Sequence, residues 1–174
     1  MKIIDLTMPI IDGMEVYSGD PPVNISLNST IEEDGFEVRS LAFGSHTGTH
    51  VDAFSHMHQG KQSIDEIGLT QFCGKAMRVD ASINFPENTG LFFNEEVNMD
   101  KFEKICSVQP PFVGGMLSEE LEWNLLKQEI VTYTDLVSLE NIPLGEPFTF
   151  FGLPLTINNG DGSPVRAIAL LNER

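Results

Sequence analysis

Hydrophobic and polar positions alternate along much of this chain with a period of two, the signature of strands that bury one face. Residues 23–31 set Val23, Ile25 and Leu27 between polar neighbours, which predicts a half-buried strand. Residues 36–43 alternate in the same way. Between them, Glu32, Glu33, Asp34 and Gly35 read as the solvated tip of a hairpin rather than a metal cluster. Residues 2–7 predict a strand that enters a turn at Pro9, and residues 75–81 predict another. Residues 130–136 read as a buried strand. Residues 148–157 and 164–171 predict a closing pair of strands, joined by the turn residues 158–163.

Two stretches favour helix, residues 95–106 and 118–128. The second opens on Ser118, a good N-cap, and carries Leu121, Leu125 and Leu126 at helical spacing. Residues 107–117 hold Pro110, Pro111, Gly114 and Gly115 and read as a loop. The sum is a mixed α/β fold with more strand than helix, in which two or three helices pack against interior strands. A length of 174 residues suits a single domain over residues 1–174. No internal repeat or low-complexity segment interrupts it.

Composition narrows the function classes. A formal net charge of −16 repels nucleic acid and anionic membranes, so neither is an expected partner. No apolar run approaches the roughly twenty residues of a membrane helix, and the opening MKIIDLTMPI is too short and polar for a signal peptide. The two cysteines, Cys73 and Cys106, form no CxxC pair and no disulfide framework. They read as ordinary buried thiols in a cytoplasmic protein. A glycine-rich phosphate loop and a basic cluster are both missing, which removes a nucleotide-binding reading.

The chemistry concentrates in one place. All four histidines, His46, His50, His56 and His58, fall within residues 45–58. Imidazole is the commonest protein ligand for a borderline metal, and a nearby carboxylate completes many such sites. Here Asp52 supplies it. His46 and His50 have the spacing of a helical metal motif, but Thr47, Gly48, Thr49 and Val51 are poor helix formers. A strand–turn–strand passage fits better. Its period of two puts His50 and Asp52 on one face, and Gly48 lets the backbone bend so that His46 reaches the same point. Three ligands from His46, His50 and Asp52 leave positions open for water and substrate, as catalysis requires. On residue type alone, His56 is either a further ligand or a free base beside the metal. His58 precedes a Gln-Gly turn and is expected to stand apart.

The segment His46-Thr-Gly-Thr-His-Val-Asp-Ala-Phe-Ser-His56 resembles the HxGTHxDxPxH signature of the cyclase-like metal-dependent hydrolases, the family that includes the bacterial kynurenine formamidases. Phe54 stands where the signature has Pro. Further matches occur in order along the chain: Ile4-Asp5-Leu6-Thr7, Val16 through Pro22, Ser63 through Ile67, Gly152 through Leu155, and Asp161 through Ala167. The resemblance implies a swivelling β/β/α fold, a homodimer or homotetramer, and bound zinc or manganese. It also implies hydrolysis of a formamide, amide or cyclic amide in a small-molecule substrate. By motif position, His46, His50 and Asp52 are the metal ligands, His56 is the general acid/base, and Tyr17 packs against the substrate. In the formamidases a late His and Glu complete a second metal site. Here Glu122 takes the His position and Thr134 the Glu position, and no histidine follows His58. The chain is also shorter than typical members, the difference falling around residues 109–118. A dismantled second site implies one metal, with Glu122 and Thr134 shaping the substrate pocket. The alternative is a non-catalytic metal- or ligand-binding member that lost its chemistry with that second site.

Overall fold

The computed structural model describes residues 1–171. In chain order the elements are β1 (Lys2–Asp5), β2 (Asn24–Ser29), α1 (Ile31–Asp34), β3 (Val38–Ala42), β4 (His50–Asp52), β5 (Cys73–Arg78) and β6 (Gly90–Val97). Then follow α2 (Phe102–Ser107), β7 (Phe112–Leu117), α3 (Glu119–Lys127), β8 (Val131–Thr134), β9 (Pro147–Phe151), β10 (Gly162–Pro164) and β11 (Ile168–Leu171). Nine strands form one mixed sheet in the order β1-β11-β9-β5-β6-β7-β8-β4-β10, and β2 and β3 form a separate ribbon. The fold is the strand-rich α/β arrangement expected. No helix of the described residues is long and apolar enough to cross a membrane.

The middle of the sheet, β5-β6-β7-β8, is parallel, and both flanks are antiparallel. Parallel neighbours need crossovers, and α2 and α3 supply two of them. The alternation of β6 then divides the core. Leu91 and Phe93 face one side, where Ile105 of α2 and Leu121 and Leu125 of α3 cover them. Phe92 faces the other and packs with Phe112, Tyr133, Phe148 and Phe150. Helix α3 starts as its sequence predicts: Ser118 Oγ accepts the Leu121 N–H at 3.3 Å.

Four expectations need correction. Strand β6 occupies part of the predicted helix 95–106, and helix begins only at Phe102 after a 3₁₀ turn Met99–Lys101. The run Leu91-Phe92-Phe93 is buried on both faces, so it carries no alternation to announce a strand. The predicted loop 107–117 contains β7, a central strand. Its glycines are packing devices rather than turn residues. A Cβ on Gly114 would lie 2.7 Å from the Phe92 ring, and one on Gly115, at φ +123°, would lie 2.0 Å from the Phe93 carbonyl oxygen. The tip 32–35 is solvated between paired strands as expected, and its local form is a one-turn helix, α1, capped by Thr30. Finally, β2 and β3 are exposed along nearly their whole length rather than half-buried. Cys73 and Cys106 are free thiols and only partly buried.

The closing pair forms as expected, with β9 antiparallel to β11. The segment between them does more than turn. It crosses to the opposite end of the sheet, where β10 pairs with β4 in the register Gly162↔Asp52, Ser163↔Val51, Pro164↔His50. This pairing brings Asp161 to the histidine segment.

Candidate metal centre

Strand β4 is short and fully buried, held between β8 and β10. Gly48 has φ +62°, so the chain bends sharply just before the strand, and His46 turns back toward Asp52. His46 Nδ1 lies 2.8 Å from Asp52 Oδ1, and His50 Nε2 lies 3.5 Å from the same oxygen. A 3₁₀ turn, Phe54–His56, then carries His56 back over the cluster, its ring 3.9 Å from that of His46. Ligand-capable atoms of His46, Asp52 and His56 all fall within 4.8 Å of one another. Three of the four predicted residues therefore converge, and His50 reaches the group through its 3.5 Å approach to Asp52. His58 does not join them: its Nε2 faces the Trp123 carbonyl at 2.7 Å.

Each group is aimed by a second contact. His50 Nδ1 donates to the Gly48 carbonyl at 2.7 Å, which orients the ring with its Nε2 toward Asp52. Asp52 Oδ2 accepts the Thr132 hydroxyl at 2.8 Å, leaving Oδ1 for the cluster. Imidazole nitrogens and a carboxylate oxygen that converge from so short a segment make a donor set of the kind that borderline divalent cations take. The residues present thus fit a divalent metal with nitrogen and oxygen ligands.

Sequence reasoning assigned no role to Asp161. Its Oδ2 lies 2.9 Å from His46 Nε2 and 3.4 Å from His56 Nδ1, and its Oδ1 accepts from Ser45 Oγ at 2.8 Å. Burial disfavours its charge, but hydrogen bonds from His46 and Ser45 outweigh this and hold the carboxyl at about 2. Burial likewise opposes the charge of His46, yet the hydrogen bond to Asp52 and its charge, with help from Asp161, raise the imidazole to about 9. Asp52 is buried, which opposes its charge, but the His46 hydrogen bond and the neighbouring rings keep it below the usual carboxylate range. Gly162 is part of the same device, since a Cβ there would lie 2.6 Å from His46 Cε1.

The cluster sits at the wall of a cavity of about 800 Å³. Tyr17, Glu122 and Thr134 line it too, so the structure gathers every residue singled out from the sequence. Tyr17 is 69 % exposed, and its hydroxyl donates to Glu119 Oε1 at 3.0 Å across the mouth. Thr134 Oγ1 donates to Glu122 Oε1 at 3.0 Å. Burial, and next the charge of Asp52, push the Glu122 carboxyl up to about 7. Strand β8 ends at Thr134, and Asp135, at φ +55°, turns to line the cavity.

A family model described as putative cyclase matches residues 4–109. A kynurenine formamidase of Salinibacter ruber is 29 % identical, the match covering 97 % of each chain. An uncharacterised protein of Methanocaldococcus jannaschii is 30 % identical over 98 % of this chain and all of its own. Among solved structures, isatin hydrolase A of Labrenzia aggregata superposes with a TM-score of 0.87 at 18 % identity, covering 99 % of this chain and 94 % of its own. A potential metal-dependent hydrolase with cyclase activity gives 0.78 at 22 % identity, covering 99 % of both chains. With the model spanning more than half of the sequence and relatives aligned along nearly all of it, the chain belongs to the putative cyclase family.

Proposed function

We propose that this protein is a metal-dependent hydrolase that opens a formamide, amide or cyclic amide bond in a small molecule, using one zinc or manganese ion held by His46, His50 and Asp52. The observation that carries the reading is the convergence of ligand-capable atoms of His46, Asp52 and His56 within 4.8 Å of one another, with His50 Nε2 3.5 Å from Asp52 Oδ1, beside a large cavity. A divalent ion bound there supplies Lewis-acid polarisation of the carbonyl and lowers the pKa of water.

The chain's own groups do the rest. His56 takes a proton from the attacking water and returns one to the leaving nitrogen. Asp161 faces its Nδ1 at 3.4 Å and orients the ring for that exchange. His56 is also the most exposed of the three clustered rings, which suits proton traffic with solvent. Glu122 and Thr134 satisfy each other by a hydrogen bond rather than presenting a free ligand pair, which supports a single ion.

The test is a screen of formamides, lactams and cyclic imides with added zinc or manganese, followed by His56→Ala. The variant is expected to keep its metal and to lose hydrolysis by a factor on the order of 10² to 10⁴. Metal lost in step with activity would make His56 a ligand instead, and no turnover by the metal-loaded wild type on any class would overturn the reading.

A further inference from the structure

His46 is held at both ring nitrogens. Nδ1 faces Asp52 Oδ1 at 2.8 Å, the same oxygen that His50 Nε2 approaches at 3.5 Å. Nε2 faces Asp161 Oδ2 at 2.9 Å. The two nitrogens of an imidazole point away from each other, so one ring cannot turn both to one ion. The proposed ligands His50 and Asp52 therefore lie on the Nδ1 side of His46. Asp161 lies on its Nε2 side, outside the converging trio of His46, Asp52 and His56.

Asp161 is built into this place. Its carbonyl accepts the Ala53 N–H at 2.9 Å, and its Oδ1 accepts from Ser45 Oγ at 2.8 Å. The residue after it, Gly162, lets the His46 ring pack against the backbone: a Cβ there would lie 2.6 Å from Cε1, the carbon between the two ring nitrogens. The contact of Asp161 with His56 Nδ1 is longer, at 3.4 Å.

We propose that Asp161 is a positioning residue of the metal centre, which holds the proton of His46 on Nε2 and so presents Nδ1 to the ion. A ligand nitrogen carries no proton, so a neutral ring has one proton left to place. A carboxylate that accepts it fixes the ring's orientation and makes the opposite nitrogen the stronger donor to a metal. The longer contact with His56 is the second half of the same device. One carboxylate ties the ring that binds the ion to the ring that moves the proton, and it fixes their spacing. This inference rests on the metal site proposed above.

The test reads zinc affinity by chelator competition and the His46 proton by long-range proton–nitrogen NMR on the zinc-loaded protein. In the wild type, His46 is expected to carry zinc on Nδ1 and its proton on Nε2, in slow exchange with solvent. Asp161→Asn should weaken zinc by about 10- to 100-fold, keep one ion per chain at saturation, and speed the exchange of that proton. Ser45→Ala removes the donor to Oδ1 but leaves the carboxylate, and should move both readouts the same way by less. Should Asp161→Asn fail to fold, Ser45→Ala and the wild-type spectrum decide. Asp20→Asn removes the same charge from a cavity-lining carboxylate that bonds none of the histidines, and should leave both readouts unchanged. An equal loss of affinity in Asp20→Asn would reduce the effect to the general field of an acidic protein and overturn the inference. A His46 proton on Nδ1 with zinc on Nε2 would overturn it as well, since Asp161 would then stand as a ligand. Unchanged affinity in Asp161→Asn and Ser45→Ala, with zinc bound through His46, would strike the inference and leave the metal centre standing. A wild type that holds no zinc would bring down both.

Discussion

Glu122 illustrates what a single buried carboxylate can cost. Burial raises its pKa from an ordinary 4.5 to about 7, so the folded state favours the protonated form. The penalty is absent below pH 4.5, develops as pH rises between 4.5 and 7, and is fully present above 7. Glu122→Gln removes it. The metal-free variant is expected to be more stable than wild type at pH 8, by on the order of 3 kcal/mol at most, and no more stable at pH 4. Denaturant unfolding at the two pH values measures this, and equal effects at both would contradict the assignment. His46 has the opposite sign. Its raised pKa stabilises the metal-free fold below about 6.5 and loses that contribution as pH rises through about 9. A metal ligand must give up that proton, so binding is expected to release about one proton per ion at pH 7.5 and to tighten with rising pH. Calorimetry in buffers of different ionisation enthalpy counts the proton, and none released would contradict the role of His46. At this scale the sequence was informative where residues cluster. Three histidines and one aspartate within a short span mark the candidate site, while the fourth, His58, lies apart from it. Asp161 was invisible because it lies 115 residues from His46 and reaches it only through the β10–β4 register. Gly162 carried a signal of a kind, since it follows Asp161 in a stretch similar to the family's C-terminal hairpin. Its need to be glycine comes from the His46 ring, which no local pattern records.

Elements were legible when one face meets solvent or a cap marks an end. Helix α3 follows from Ser118 and its leucines, and β1, β5, β8, β9 and β11 from short apolar runs. Strands β6 and β7 were not. Burial on both faces erased the alternation of Leu91-Phe92-Phe93, and glycines chosen for close packing imitate a loop in Phe112–Leu117. The opposite failure is the ribbon of β2 and β3. It alternates as a half-buried hairpin should, yet this chain covers neither face. Ile25 and Leu27 lie across from Leu41 and Arg39, and Leu27, Val38 and Leu41 are exposed. A two-stranded ribbon with exposed apolar side chains is marginal by itself. We expect a second copy of the chain to cover it, in a homodimer or homotetramer. Light scattering should give a mass of at least two chains, and Leu27→Asp with Leu41→Asp should lower it toward one. A monomeric wild type would contradict this expectation.

At the scale of the molecule, the sheet's connectivity makes the site. Parallel strands in the middle position α3 and its Glu122 on one side of the cavity, and the antiparallel flank of β8, β4 and β10 holds the proposed ligand residues on the other. The proposed ligand set is continuous in sequence, but the groups that aim it come from Thr132 on β8 and Asp161 before β10. An acidic molecule of this kind attracts cations generally, so bound metal alone is weak support, and its dependence on particular side chains decides the matter. The most direct measurement is metal content per chain after loading and exhaustive desalting, by elemental analysis, for wild type and His50→Ala. Close to one zinc or manganese ion per chain is expected in the wild type and nearly none in the variant. A variant that keeps its full complement, or a wild type that holds two ions tightly, would contradict that expectation.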